Sequence, residues 1–324
     1  MSFAIAITLC LASTLAEEHP SVIVVVGAPG TPEYAVQFRK WADNWKAASA
    51  KGSARFRAIG FEPESGASDH DRLRDALAEH SSPGNEPLWV VLIGHGTFDA
   101  REAKFNLRGP DVTDVELAEW LKPIKRPIAV LDCTSASGPF LGKLSGENRV
   151  VVVATRSGDE QNFARLGQYL SAAVADPRAD LDKDGQVSLL EAYLTASARV
   201  AESYKSKSQL ATEHPLIDDN GDKMGTPPDW FQGVRVTKRV KEGASPDGTR
   251  ARQFHLIPSD RERGMPAEVK RRRDLIEQKI AALREQKSKR PEAEYYAELD
   301  ALMVELATIY RGATGAERRD VRAN

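Results

Sequence analysis

The chain has 324 residues, 41% apolar and 28% charged, with a formal net charge of -2. That length and composition suit one or two soluble globular domains with a sizeable core. The near-neutral balance supplies no basic field for nucleic acid, which excludes that class of partner.

An apolar run from Phe3 to Ala12, broken only by Thr8, opens the chain and is too short to span a membrane. Thr14-Leu-Ala16 follows with small residues at the positions a signal peptidase reads, then acidic Glu17 and Glu18. Residues 1–16 are therefore expected to be an export signal, placing the mature protein in the periplasm or outside the cell, with no membrane span. The two cysteines are Cys10 and Cys133. Removing the leader leaves Cys133 without an intramolecular partner; such a thiol is most often buried as a small hydrophobe.

Beyond the leader, apolar runs alternate with amphipathic ones. Val22–Val26 reads as a fully buried strand, followed by the turn Gly27–Gly30 and a helix from about residue 33 to 48. Residues 55–59 form a shorter strand and 69–79 a helix; 88–93 is a buried strand and 115–121 a helix. Residues 128–131 and 150–153 complete five strands. This alternation predicts an α/β fold with a doubly wound, mainly parallel sheet and right-handed crossovers over residues 17–232. Sites in such sheets lie beyond the carboxyl ends of the strands, here the loops after Ile93, Leu131 and Val153. The turn "GAPGTPEY" lacks the P-loop lysine and the dinucleotide glycine spacing, which weakens a nucleotide reading.

Residues 180–191, "DLDKDGQVSLLE", match a twelve-residue calcium loop slot by slot. Carboxylates stand at places 1, 3 and 5 (Asp180, Asp182, Asp184), and Gly185 makes the turn at 6. Gln186 offers its carbonyl at 7, Ser188 stands at 9, and Glu191 closes bidentately at 12. Helical pattern flanks the loop on both sides. Ca2+ is therefore the expected cofactor, and a single loop suits a structural clip better than a sensor. A second acidic turn, Asp218-Asp-Asn-Gly-Asp222, lacks glycine at its sixth place and reads as a turn first.

Past Gly233 the character changes. Val234–Lys241 and Arg250–Leu256 flank "EGASPDG", a pattern expected to form a strand pair over 233–258. Residues 259–324 are dense in Lys, Arg and Glu. Tyr295, Leu299, Leu302, Leu306 and Ile309 recur by four and three, and with Ile276, Ile280 and Leu283 upstream they predict a helical hairpin, whose outer faces are either solvated or a docking site for a protein partner.

His95 stands between two glycines at the end of the third strand, where substrate can approach bare backbone. Cys133 and Ser135 end the next strand, and in a parallel sheet the two loops are neighbours. With "HGTFD", "SGPF", "VVVATRSGDE" and "TEHPLIDDNGD", residues 21–232 resemble the caspase-like peptidases, in particular the legumain-type branch and its exported bacterial relatives. The resemblance implies peptide-bond cleavage by a Cys-His dyad, with His95 as base, Gly96 as an oxyanion donor, and Asp159 and Glu160 at the substrate pocket. Aligned on Ser137-Gly138, the nucleophile position holds Ser135; Cys133 instead requires two inserted residues. Serine with His95 alone lacks the low thiol pKa such dyads use. Three readings follow: an active exported peptidase, a degenerate one that binds peptides or partners without turnover, and a calcium-clipped assembly protein working through its C-terminal hairpin.

Overall fold

The computed structural model describes residues 19–61, 66–238 and 246–320, with side chains to residue 312. The expected leader, with Cys10, lies outside the described residues. In chain order the first half runs β1 (Ser21–Val26), α1 (Pro32–Lys51), β2 (Arg55–Ile59), α2 (Asp69–Ala78), β3 (Leu88–Ile93), β4 (Gly96–Phe98), β5 (Ala103–Phe105), β6 (Val112–Thr113) and α3 (Asp114–Leu121). There follow β7 (Ile128–Asp132), α4 (Gly138–Leu144), β8 (Arg149–Val153), α5 (Leu166–Ala173), α6 (Leu189–Ser206) and β9 (Leu216–Asp218).

The main sheet has strand order β2-β1-β3-β7-β8-β9. Its first five strands pair in parallel and β9 joins β8 antiparallel, with Val152 opposite Ile217. Strands such as "SVIVVV" and "LWVVLI" are buried on both faces, which is why they read as continuous apolar runs. Their alternate residues feed two cores. Val22, Val24, Val91 and Leu131 face α1, α5 and α6; Ile23, Val25, Val90 and Val130 face α2, α3 and α4.

Local chemistry sets the helix limits. Pro32 starts α1 behind an extended Thr31, and α1 ends at Gly52, where a Cβ would fall 1.8 Å from the Leu256 carbonyl oxygen. Thr113 and Glu116 form a capping box on α3, worth about 1 kcal/mol. The small antiparallel sheet β4-β5-β6 grows directly out of the loop after β3.

The expected strand pair over 233–258 is not what the described residues form. Arg235–Val236 pairs with Phe231–Gln232 in a short hairpin, and Ala251–Gln253 is a 3-10 turn; residues 239–245 lie outside the described residues. Phe254 and His255 instead lie against the start of α6, Leu189 N–H donating to Phe254 O at 2.8 Å. The helical hairpin is present. After a short α7 (Asp260–Gly264), α8 (Ala267–Glu285) packs on α9 (Glu292–Asp320). Ile276, Ile280, Leu283 and Tyr295 are buried, while Leu299, Leu302, Leu306 and Ile309 are half-buried. The Arg273 guanidinium, held by Glu262 and Asp274, ties α7 to α8. No helix among the described residues is long and apolar enough to cross a membrane.

Candidate active site at the carboxyl edge of the sheet

Strands β3 and β7 are parallel neighbours with Leu92 opposite Asp132, so the loops carrying His95 and residues 133–137 emerge side by side. Cys133 N–H donates to Leu92 O at 3.0 Å, extending the ladder by one residue. Its side chain accordingly keeps the parity of Ala129 and Leu131 and enters the core under α1 and α5. Helix α5 presses on it there: a Cβ on Gly167 would come within 3.0 Å of the Cys133 Cβ. Burial, reinforced by the Asp132 and Glu213 carboxylates, pushes the thiol well above its ordinary range. A thiol without thiolate character is a packed hydrophobe, not a nucleophile.

One step on, the chain turns. Ala136 adopts a left-handed conformation with φ 55° and donates its N–H to Glu160 O at 2.8 Å. The turn brings Ser135 across to the histidine loop, where its hydroxyl donates to Gly96 O (3.0 Å) and accepts from Gly96 N–H (3.1 Å). Ser135 is 3% exposed, and the approach is close enough that a Cβ on Gly96 would fall 2.2 Å from the Ser135 carbonyl oxygen. The N–H that the resemblance assigns to an oxyanion is thus taken up by the serine itself.

His95 faces elsewhere. Its Nε2 lies 3.2 Å from Pro29 O, and since a carbonyl can only accept, that nitrogen carries the proton. The ring stands edge-on to Tyr34 and Phe38, with centroids 4.8 and 5.4 Å away. Among the described residues no hydrogen bond joins the imidazole to Ser135 or Cys133. The fold brings His95 and Ser135 to one edge of the sheet, and each is hydrogen-bonded to a main-chain partner, not to the other.

Asp132, Glu160 and Glu213 near this edge each accept main-chain N–H groups. Asp132 is fully buried; its Oδ1 accepts from the Thr134 hydroxyl at 2.6 Å and N–H at 3.0 Å, and burial pushes it up to about 6. Ser137 accepts the N–H groups of Ala154 and Thr155 at 3.0 and 3.1 Å, locking the turn to the end of β8. Asp159 is exposed. Glu160, expected at the substrate pocket, accepts from the Arg156 N–H at 3.0 Å and the His214 N–H at 3.2 Å, and pairs with the His214 ring. Glu213 accepts three contacts of 2.7–2.9 Å from the N–H groups of Arg165 and Leu166 at the start of α5. Burial pushes it up to about 7. Adjacent residues 213 and 214 therefore pin the far end and the middle of the loop after β8. The sequence offered "TEHP" as their signal, but gave neither residue a partner.

A second cluster of donors lies at 180–191. Carboxylate oxygens of Asp180, Asp182 and Asp184 lie within 4.8 Å of one another. Asp180 accepts the Lys183 and Gly185 N–H groups at 2.7 and 3.1 Å, and Lys183 and Gly185 take φ 62° and 92° to wrap the loop around that point. Glu191 is 2% exposed and accepts from Leu181 N–H (2.7 Å), Asp182 N–H (3.1 Å) and both Ser188 donors (2.8 Å each). Gln186 points its amide at Asp184 and Ser259. Desolvation, with Glu191 and Asp184 close by, raises the Asp182 carboxyl. Hard oxygens converging in this way suit a hard cation, and Asp180, Asp182 and Asp184 are the residues whose oxygens gather to hold one; both oxygens of Glu191 are taken by N–H and O–H donors of the loop. The other acidic turn closes on itself: Asp218 accepts the N–H groups of Gly221 and Lys223 at 2.9 and 3.0 Å.

No family model matches the chain, and no curated relative does. Among solved structures it is similar to the Drosophila initiator caspase Dronc, at 13% identity over 62% of this chain and 79% of that one, with a TM-score of 0.43. It is also similar to Raptor of Chaetomium thermophilum, at 9% identity over 50% of this chain and 17% of that one, with a TM-score of 0.34. Likenesses this shallow carry nothing about chemistry; the α/β assignment rests on the strand order of the sheet itself.

Proposed function

We propose that this chain is an exported homologue of the caspase-like, legumain-type peptidases that binds peptide or protein segments at the carboxyl edge of its sheet and does not hydrolyse them. The relation to peptidases is supported by position: a His-Gly pair after β3, a small-residue turn after the adjoining β7, and a loop after β8 folding over both. The absence of turnover is carried by one observation. The Ser135 hydroxyl is held between the carbonyl and the N–H of Gly96, so the hydroxyl at the nucleophile position and the candidate oxyanion donor satisfy each other. To attack a carbonyl, Ser135 needs a base within hydrogen-bond reach, and His95 is engaged by Pro29. In place of a reaction, the two loops offer a rigid floor against which an extended segment can lie. Calcium at 180–191 clips the chain between α5 and α6, and the C-terminal hairpin serves a protein partner.

The test is a panel of fluorogenic peptides with Asn or Asp at the scissile position, offered to the purified full-length chain with calcium. No turnover is expected above that of a His95→Ala variant, while fluorescent peptides of the same panel bind. Hydrolysis abolished by His95→Ala, or by Ser135→Ala, would overturn the reading.

A further inference from the structure

Residues 247–257 run as a strap from the turn after β9 to the C-terminal hairpin. The far part of the strap is seated by apolar packing and by the hairpin. Phe254 stands edge-on to Trp89 with centroids 5.8 Å apart, Leu256 is fully buried, and the Gln253 amide donates to Asp274 O at 3.0 Å. The near part, 247–251, is fastened through two aspartates. Asp219 Oδ2 accepts the Ala251 N–H at 2.7 Å. Asp247 Oδ1 accepts the N–H groups of Asp219 and Asn220 at 2.8 and 3.2 Å, and its Oδ2 takes the Thr226 hydroxyl at 2.6 Å. Each aspartate thus holds the main chain on the other's side of the junction. Both are 3% exposed, and their carboxyl groups are hydrogen-bonded to one another. Two carboxylate ions cannot share such a bond, so the pair keeps a proton.

The charges around the pair favour that proton. Arg250 places its Nε on Asp219 O at 3.2 Å and its Nη1 on Asn148 Oδ1 at 3.0 Å, so one guanidinium offsets one ionised carboxyl. Asp218 adds negative charge from the end of β9, with Asp222 beside it on the same turn. From α6 the buried Tyr193 hydroxyl meets the carbonyls of Pro215 and Thr226 and is pushed well above its ordinary range, so it stays neutral. A second ionisation would set two like charges in contact. Burial, reinforced by Asp219, pushes Asp247 up to about 8, and burial raises Asp219 as well.

We propose that Asp219 and Asp247 form a proton-held latch, which fastens the strap to the sheet edge in acid and loosens residues 247–251 when the shared proton is lost. The latched chain binds this proton more tightly than the opened one, whose carboxyls return to about 4. The latch is therefore strongest below about pH 4 and weakens as pH rises through about 8, its opening constant growing by up to about tenfold per pH unit. It requires neither peptide binding nor calcium.

The experiment is hydrogen exchange of the full-length chain, read by mass spectrometry at pH 5.5 and 8.5 and corrected for the intrinsic pH dependence of exchange. Strand β3 serves as the reference for global opening. Protection over 247–251, relative to β3, is expected to fall at least about tenfold between the two pH values. Asp247→Asn replaces the shared proton by amide hydrogens that do not titrate, and the fall should vanish; Asp219→Asn gives the same reading if the first variant does not fold. Glu213→Gln should leave the fall in place, although Glu213 titrates in the same range. Wild-type protection over 247–251 that falls no more than that of β3 would overturn the latch, and so would a fall that persists in a folded aspartate variant.

Discussion

The turn at 132–138 and the loop at 180–191 use the same materials to opposite ends. In the turn, each polar side chain faces a main-chain partner: Asp132 holds Thr134, Ser135 holds Gly96, and Ser137 holds Ala154 and Thr155. Ser135 and Ser137 are almost wholly buried. In the loop, Asp180 and Glu191 also hold main-chain N–H groups, yet Asp182 and Asp184 stay accessible and three carboxylates crowd within 4.8 Å. Like charges gathered at that spacing are a cost unless a cation offsets them. The turn has reactive residue types whose serine hydroxyls are taken up by the main chain once folded, with Asp132 Oδ2 left buried and unpaired among the described residues. The acidic loop has the residue types of a site and keeps them turned toward a common point.

The largest effect expected is on the loop. If the calcium proposal holds, metal at a thousandfold excess over its Kd adds about 4 kcal/mol of stability. Melting curves in calcium and in chelator should separate, and Asp180→Ala or Glu191→Gln should bring them together. Identical wild-type curves would remove the contrast between the two regions. Next in size, Glu191→Ala should cost about 3 kcal/mol even in chelator, because buried N–H groups of the loop and the Ser188 hydroxyl lose their acceptor; urea titration reads it.

Acidity probes the turn's side of the comparison. Glu213 is pushed up from 4.5 to about 7 by burial, so the folded chain holds this proton more tightly than the unfolded one. Its contribution is fully present below about pH 4.5 and is lost as pH rises through about 7, amounting to about 2–3 kcal/mol. Glu213→Gln should flatten that part of the stability profile, and an unchanged slope would show that the loop after β8 is not held as described. Ser135→Ala should cost about 2 kcal/mol by leaving Gly96 N–H and C=O unpaired in a buried place. No loss would mean that the hydroxyl is free after all. The smallest effect is a null one: native Cys133 should label slowly with an alkylating reagent near neutral pH, at a rate His95→Ala does not change. Fast, His95-dependent labelling would make Cys133 the nucleophile.

The parallel strands were legible because two-sided burial demands unbroken runs such as "LWVVLI", and the carboxyl-edge rule then placed His95 and the turn together. The gathering of Asp180, Asp182 and Asp184 was legible because acidic residues at alternate positions ahead of a turning Gly185 bring their carboxylates to one side. The strands β4, β5, β6 and β9, two or three residues each, are too short for any periodicity to register. The clamp of Ser135 on Gly96 was hidden for another reason: it depends on a left-handed Ala136 and on a partner 39 residues away, and no local pattern encodes either. The same holds for Glu160, which the resemblance placed at a pocket and whose partner His214 lies 54 residues on.

The antiparallel edge strand bears on how the chain folds. Between β8 and β9 lie the 62 residues from 154 to 215, holding α5, the acidic loop and α6. Until that excursion closes, β8 is the open border of a growing sheet, and its sequence, "RVVVV", is the kind of unpaired apolar edge that recruits other chains. A late-arriving β9 makes the interval before closure the period of greatest aggregation risk in biogenesis. Whatever hastens the ordering of 154–215 acts on the yield of soluble protein before it acts on the stability of the finished fold.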